Sequence, residues 1–114
     1  MYIYNAKCIK VVDGDTIDAQ IDLGFDTHKI VRIRLNGINA PESRTTNAEE
    51  KVKGLEAKEF VKSMLDKYDN YFILHSQGVD KYGRCLGEIF LNDTKLNDLL
   101  ITEGYAVPYF GGKR

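Results

Sequence analysis

Three short polar clusters interrupt an otherwise alternating, β-like chain: Asp13-Gly14-Asp15-Thr16, Arg34-Leu35-Asn36-Gly37-Ile38-Asn39-Ala40-Pro41-Glu42, and Asp80-Lys81-Tyr82-Gly83-Arg84. A hard cation such as Ca²⁺ or Mg²⁺ takes carboxylate and carbonyl oxygens, and one aspartate of the first cluster, at a strand end, would supply the first of them. Arg34 and Arg84 carry planar guanidinium forks that can each bind two oxygens of one phosphate, which lysine cannot do. Two such forks brought together would neutralise a phosphorane-like transition state. Glu42 follows Pro41, so it is held on a stiffened loop, where it could act as a general base or orient an attacking water. Lys81 and Tyr82 could hydrogen-bond a terminal phosphate. Together the clusters make the inventory for a divalent cation beside a phosphate diester.

Each cluster taken alone has a plainer explanation. Asp-Gly is a common hairpin turn. Arg34 shares a strand face with Arg32, which could simply be solvated, and Arg84 and Glu42 could be ordinary surface charges. Tyr109-Phe110 could stack on a nucleobase or pack the chain end. His28 and His75 lie near no motif. Cys8 and Cys85 lack CxxC spacing and a neighbouring histidine, and read as reduced, core-filling residues. The case for chemistry rests on the combination.

The elements that must position these residues are mostly strands. Residues 2–12 read as a first strand closed by the Asp13-Gly14 turn. Residues 16–23 alternate, with Ile17, Ala19, Ile21 and Leu23 on one face, and residues 28–35 alternate again, with Val31, Ile33 and Leu35 together. Residues 43–53 have no clear period and read as a loop or the start of a helix. Ala57, Phe60, Val61, Met64, Leu65 and Tyr68 fall at helical spacing and predict a helix over about residues 54–68. Strand patterns resume at residues 71–75 and 86–91. Leu96, Leu99 and Leu100 predict a short second helix capped at Gly104. Five strands with a helix between the third and fourth is the element order of an OB-type Greek-key barrel, a mainly β, α+β fold. An SH3-like barrel or an open α+β sheet also fits the pattern.

Composition narrows the classes. At 114 residues the chain is expected to be one domain, residues 1–114, around one core. Its hydrophobic share of 43% and charged share of 29% are those of a globular protein. No apolar run is long enough to cross a bilayer as a helix, so no membrane association is expected. The first residues lack a basic n-region and an apolar h-region, which leads to the expectation of a cytoplasmic protein. The formal charge of −1 argues against a binder that relies on a broad basic surface, but leaves room for a local cationic pocket.

Val11-Val12-Asp13-Gly14-Asp15-Thr16, Arg34-Leu35-Asn36-Gly37-Ile38-Asn39-Ala40-Pro41-Glu42 and Asp80-Lys81-Tyr82-Gly83-Arg84, in that order and with a helix between the last two, resemble the staphylococcal nuclease (thermonuclease) family from Val11 to about Phe110. The resemblance implies an OB-fold barrel and Ca²⁺-dependent hydrolysis of phosphodiester bonds in DNA and RNA, with 3′-phosphate products. It implies Asp15 as a metal ligand, Arg34 and Arg84 as the phosphate grip, Glu42 as the residue serving the water, and Lys81 and Tyr82 as phosphate contacts. Phe110 is carried as a substrate-stacking candidate. Two departures stand out. The family's second metal-binding aspartate is Asn39 here, followed by Ala40, whose carbonyl would assist. That removes one negative charge, and ligand charge sets affinity in such sites. Asp13 is close enough in sequence to compensate through water. The chain given also stops soon after the second helix, without the final helix of longer members. The expected substrate is single-stranded or locally open nucleic acid, and the expected state is a monomer. The competing expectation is an OB-fold nucleic-acid-binding or interaction module whose catalysis is impaired at Asn39.

Overall fold

A computed structural model of the protein describes residues 2–109. The strands β1 (Tyr2–Asp13), β2 (Thr16–Asp22) and β3 (His28–Leu35) form an antiparallel meander. After the short β4 (Ile38–Asn39) comes helix α1 (Ala48–Asp66). Strands β5 (Tyr71–Val79) and β6 (Cys85–Leu91) follow, then β7 (Thr94–Lys95), helix α2 (Leu96–Thr102) and β8 (Val107–Pro108). The main sheet runs β3-β2-β1-β5-β6-β7, and a parallel pairing of β3 with β6 closes it. The result is a closed barrel of five long strands with two helices, the OB-type α+β architecture expected from the element order.

Alternation explains the core. Ile17, Ala19 and Ile21 of β2, Ile33 and Leu35 of β3, Leu74 of β5 and Ile89 and Leu91 of β6 are buried. Burial of each Leu or Ile contributes about 1.5–3 kcal/mol. Two bulges interrupt β1, with Ile9 and Val12 as the extra residues. The second lets the adjacent Val11 and Val12 both be buried. Strand alternation alone would not allow that, and a bulge re-aims the chain beyond it, here the Asp13–Thr16 turn.

Helix α1 begins six residues before the periodic stretch. Asn47 caps it, its Oδ1 accepting from the Glu50 N–H at 3.0 Å, with Glu49 and Glu50 in the first turn favouring the helix dipole. Its buried face is Gly54, Ala57, Val61 and Leu65. Gly54 lies against the backbone of Glu42 and Ser43, so closely that a methyl group there would overlap the Glu42 carbonyl. Helix α2 ends at Thr102 and the chain reverses at Gly104, whose φ of +81° lets the Tyr105 and Ala106 N–H groups return to the Leu100 carbonyl.

The barrel seam is held by one buried side chain. Asn97 of α2, 2% exposed, accepts from the Ile89 N–H at 3.0 Å and donates to the carbonyls of Asn36 at 2.8 Å and Gly87 at 3.1 Å. It thereby fixes the end of β3 to β6, beside the parallel pairs Arg34–Leu86 and Leu35–Gly87.

Candidate active site

The antiparallel register of β2 and β3 places Thr16 opposite Arg34 and Asp18 opposite Arg32. These two arginines share a strand face but not an environment. Arg32 is exposed and bonds Asp18 through Nε at 2.8 Å. Arg34 is only 8% exposed, because the segment around β4 folds over it. Its Nη1 donates to the Leu35 carbonyl at 2.8 Å and its Nη2 to Asn39 Oδ1 at 3.4 Å. Asp15 Oδ2 lies 3.6 Å from that Nη2.

Asp15 is buried with its carboxylate satisfied. Thr16 Oγ1 donates to Oδ1 at 3.0 Å, and the Ala40 N–H donates to Oδ2 at 2.8 Å. Asp15, Arg34, Asn39 and Ala40, spread over three elements in sequence, thus form one hydrogen-bonded cluster. The Ala40 contact runs through its N–H.

Asp13, expected as a water-mediated helper of a metal, is engaged elsewhere. Its Oδ1 accepts from Ser43 Oγ at 2.6 Å and the Ser43 N–H at 3.1 Å, and Oδ2 is 3.9 Å from Arg44. Ser43 Oγ also lies 3.4 Å from the Val12 carbonyl. Asp13 therefore ties the loop after Pro41 to the barrel, while Gly54 admits that loop close to α1. Glu42 sits on this anchored loop with its side chain exposed, and its N–H reaches Glu50 Oε2 at 3.4 Å.

The other arginine is organised by its own turn. Asp80 Oδ1 accepts from the N–H groups of Tyr82 and Arg84, both at 2.9 Å, and Oδ2 accepts from Arg84 Nε at 2.7 Å. Gly83, at φ +81°, makes the reversal possible. Burial pushes the Asp80 carboxyl up, but the hydrogen bonds from Arg84 and Tyr82 and the Arg84 charge outweigh it and hold it below its ordinary value. Lys81 Nζ and the Arg84 guanidinium each lie 5.3 Å from the Tyr82 ring centroid, within cation–π range.

The barrel closure brings these parts together. A cleft of about 540 Å³ is lined by Arg34, Asp80, Lys81, Tyr82, Arg84 and Tyr109. Arg34, Arg84, Lys81 and Tyr82, singled out from sequence, thus share one cavity. Asp15, Asn39 and Ala40 stand behind Arg34, and Glu42 lies on the neighbouring loop outside the cavity lining. Phe110 lies outside the described residues. Asp80, Ser43, Gly54 and Asn97 are positioning residues that the motifs did not assign. The Asp80-to-Arg84 spacing was the one signal of this kind visible in the sequence.

Among the described residues no three His, Cys, Asp or Glu side chains converge on a metal position. The oxygen donors that Asp15 and Asn39 bring to the cluster are one carboxylate and one amide. An all-oxygen set fits a hard cation, and its low charge fits one whose shell is completed by water and substrate rather than a closed protein cage. Both cysteines are free, and burial pushes the Cys8 thiol up to about 11, so it is an inert core group.

Residues 32–114 match the family model described as staphylococcal nuclease homologue. The chain belongs to that family. It is 33% identical over 104 residues to a thermonuclease of Staphylococcus hyicus, covering 91% of this chain and 59% of that protein. It is 35% identical over 101 residues to a thermonuclease of Staphylococcus intermedius, covering 89% and 57%. An Escherichia coli protein described as an uncharacterized endonuclease is 30% identical over 106 residues, covering 92% and 61%. The chain thus spans somewhat over half the length of these curated relatives.

Proposed function

We propose that this protein hydrolyses phosphodiester bonds of DNA, RNA or both with the help of a divalent cation, leaving 3′-phosphate ends. The observation that carries the reading is the convergence of Arg34, Arg84, Lys81 and Tyr82 on one cleft in a chain of the staphylococcal nuclease family. Charge matching supports it. Three cations, Arg34, Lys81 and Arg84, face two carboxylates, Asp15 and Asp80, leaving a net positive cleft for an anionic diester.

Arg84 bonds Asp80 through Nε, so among the described contacts its two Nη groups remain for phosphate oxygens. Arg34 is pre-aligned by Leu35, Asn39 and Asp15, which limits reorganisation as negative charge grows on the phosphorus. Glu42 on its anchored loop takes a proton from, or orients, the attacking water. Asp15, with the Asn39 amide and the Ala40 carbonyl, would hold the cation. A bound Ca²⁺ supplies Lewis-acid polarisation of the phosphoryl oxygen. The cleft is local and the overall charge is −1, which favours single-stranded or locally open substrates over long duplex tracts.

A second reading is favoured by the Asn39 position. With one carboxylate in the donor set, the domain binds nucleic acid through its arginines but cuts poorly. Incubation with DNA and RNA in Ca²⁺, in Mn²⁺ and in chelator separates the two. Cutting that chelator abolishes supports the enzyme, and binding without cutting in every metal supports the module. No affinity for either nucleic acid would sink both.

A further inference from the structure

A second cavity, of about 360 Å³, lies between β1 and α1, and its lining includes Cys8, Ile9, Lys10, Lys58, Lys62 and Asp66. We propose that this groove is a track for the phosphodiester backbone of a single strand running past the catalytic cleft. The proposal rests on the nuclease reading for the strand's origin, and extends it to a site away from the bond that is cut.

The groove continues the active-site loop. Along α1, Gly54 packs against Glu42 and Ala57 against Gly14 of the β1–β2 turn. Lys58 and Lys62 follow at one and two helical turns, about 6 and 12 Å beyond Gly54 at the ordinary rise. On the opposite wall, Lys10 lies three residues before Asp13, about 10 Å along an extended strand. A strand passing Glu42 therefore meets these lysines next.

Three lysines line the groove against one carboxylate, Asp66. Among the described residues neither Lys10 nor Lys58 makes an ion pair, and the one ion pair of Lys62 is with exposed Glu59 at 3.6 Å. Lys10 also feels the charge of Asp18, but Arg32 already holds that carboxylate. Lys58 is half-buried, so its stem is held along the wall while its ammonium stays available. The first β1 bulge turns Ile9 outward, 54% exposed, at the groove rim. That gives an apolar contact for a base or sugar beside a cationic track, the combination used to hold single strands without reading their sequence.

The test measures binding of labelled single-stranded oligodeoxynucleotides of about 4 and about 16 nucleotides, the span of sites on such barrels, in chelator so that nothing is cut. The groove variant is Lys10→Gln/Lys58→Gln/Lys62→Gln. A charge-matched control is Lys7→Gln/Lys29→Gln/Lys67→Gln, and circular dichroism checks both folds. The groove variant is expected to bind the long oligonucleotide roughly tenfold more weakly at low salt, with a log–log salt slope lower by about 2, and the short one unchanged. The control should move neither. Lys62→Glu alone, at an exposed helix position, should shift the long-strand affinity the same way even if the triple variant fails to fold. Equal losses in both triple variants, unchanged binding in the groove variant, or equal affinity of the groove for polyglutamate would overturn the proposal. Loss of long-strand binding in a protein that cuts nothing in any metal would keep the groove and remove the nuclease reading. Cutting with lysine-independent binding would do the reverse.

Discussion

Arg34 and Arg84 face the same cleft with the same chemistry, yet their positions are secured in opposite ways. Arg84 is held by a turn five residues long. Asp80 accepts from two of its backbone N–H groups and from the Arg84 side chain. Arg34 is held by residues far apart in sequence, with Asp15 in the turn just before β2 and Asn39 and Ala40 in and after β4. The first arrangement is close to solvent, with the Arg84 side chain 31% exposed, and the second is nearly closed to it, at 10%. A local turn can organise a charge cheaply and adaptably. A buried one needs the whole barrel, and in return its orientation is fixed before substrate arrives. The two arginines are thus expected to contribute similarly to catalysis and very differently to stability.

The largest effects test the shared role. Arg34→Ala and Arg84→Ala should each lower kcat by roughly 10²–10³, as loss of a transition-state donor does. Full activity in both variants would remove the phosphate-clamp assignment. Urea unfolding then separates the two. Arg34→Ala leaves Asp15 buried without its cation and should cost about 2–4 kcal/mol, while Arg84→Ala should cost under about 1 kcal/mol. Equal costs would break the contrast.

Asn97 tests the seam that joins the two regions. Asn97→Ala leaves the Ile89 N–H without its partner and should destabilise by about 2–3 kcal/mol in the same experiment. Cleavage should fall as well, because Arg34 lies in β3 and Arg84 immediately precedes β6 at the cleft. Full cleavage by the folded variant would show that the seam is not what aligns them.

Asn39→Asp adds a second carboxylate to the Arg34 side alone. Calorimetry should show Ca²⁺ bound about tenfold more tightly, in keeping with affinity set by ligand charge. An unchanged affinity would place residue 39 outside the coordination shell.

The smallest effect is on the Arg84 side. The folded Asp80 carboxyl is held below its ordinary value, so its contribution is present above the unfolded carboxyl range near pH 4 and is lost as pH falls through the lower folded value. Asp80→Asn should cost about 1 kcal/mol near neutral pH and nothing in strong acid. A difference independent of pH would mean that the carboxylate charge does not organise the turn.

Much of the fold is legible in the chain itself. Alternation along residues 16–23 and 28–35 located two barrel strands, although the first ends at Asp22 and leaves Leu23 exposed, and 3.6-residue spacing located α1. The start of α1 at residue 48 was legible in Asn47 and Glu50, but the charged, aperiodic stretch after it hid the helix. Leu55 and Val52, both exposed apolar residues, blurred its amphipathic face. The short β4 and β8 were not legible, because two residues carry no period and their pairing is with each other across the chain.

The sequence by itself determined the parts that short-range geometry dictates. These are the Asp80–Arg84 turn, whose glycine and aspartate suffice to shape it, the strand and helix periods, and the motif set that places the chain in its family. Tertiary structure alone decided which charged residues are buried. Arg32 and Arg34 alternate identically along β3, and nothing in their spacing tells the exposed one from the buried one. The difference comes from β4 and Ala40 folding over Arg34 and from Asp15 meeting it across the strand register. Asp13 likewise turned out to anchor the Glu42 loop through Ser43, thirty residues away. Such contacts form only when the closed barrel removes water from both partners, and no local pattern records that.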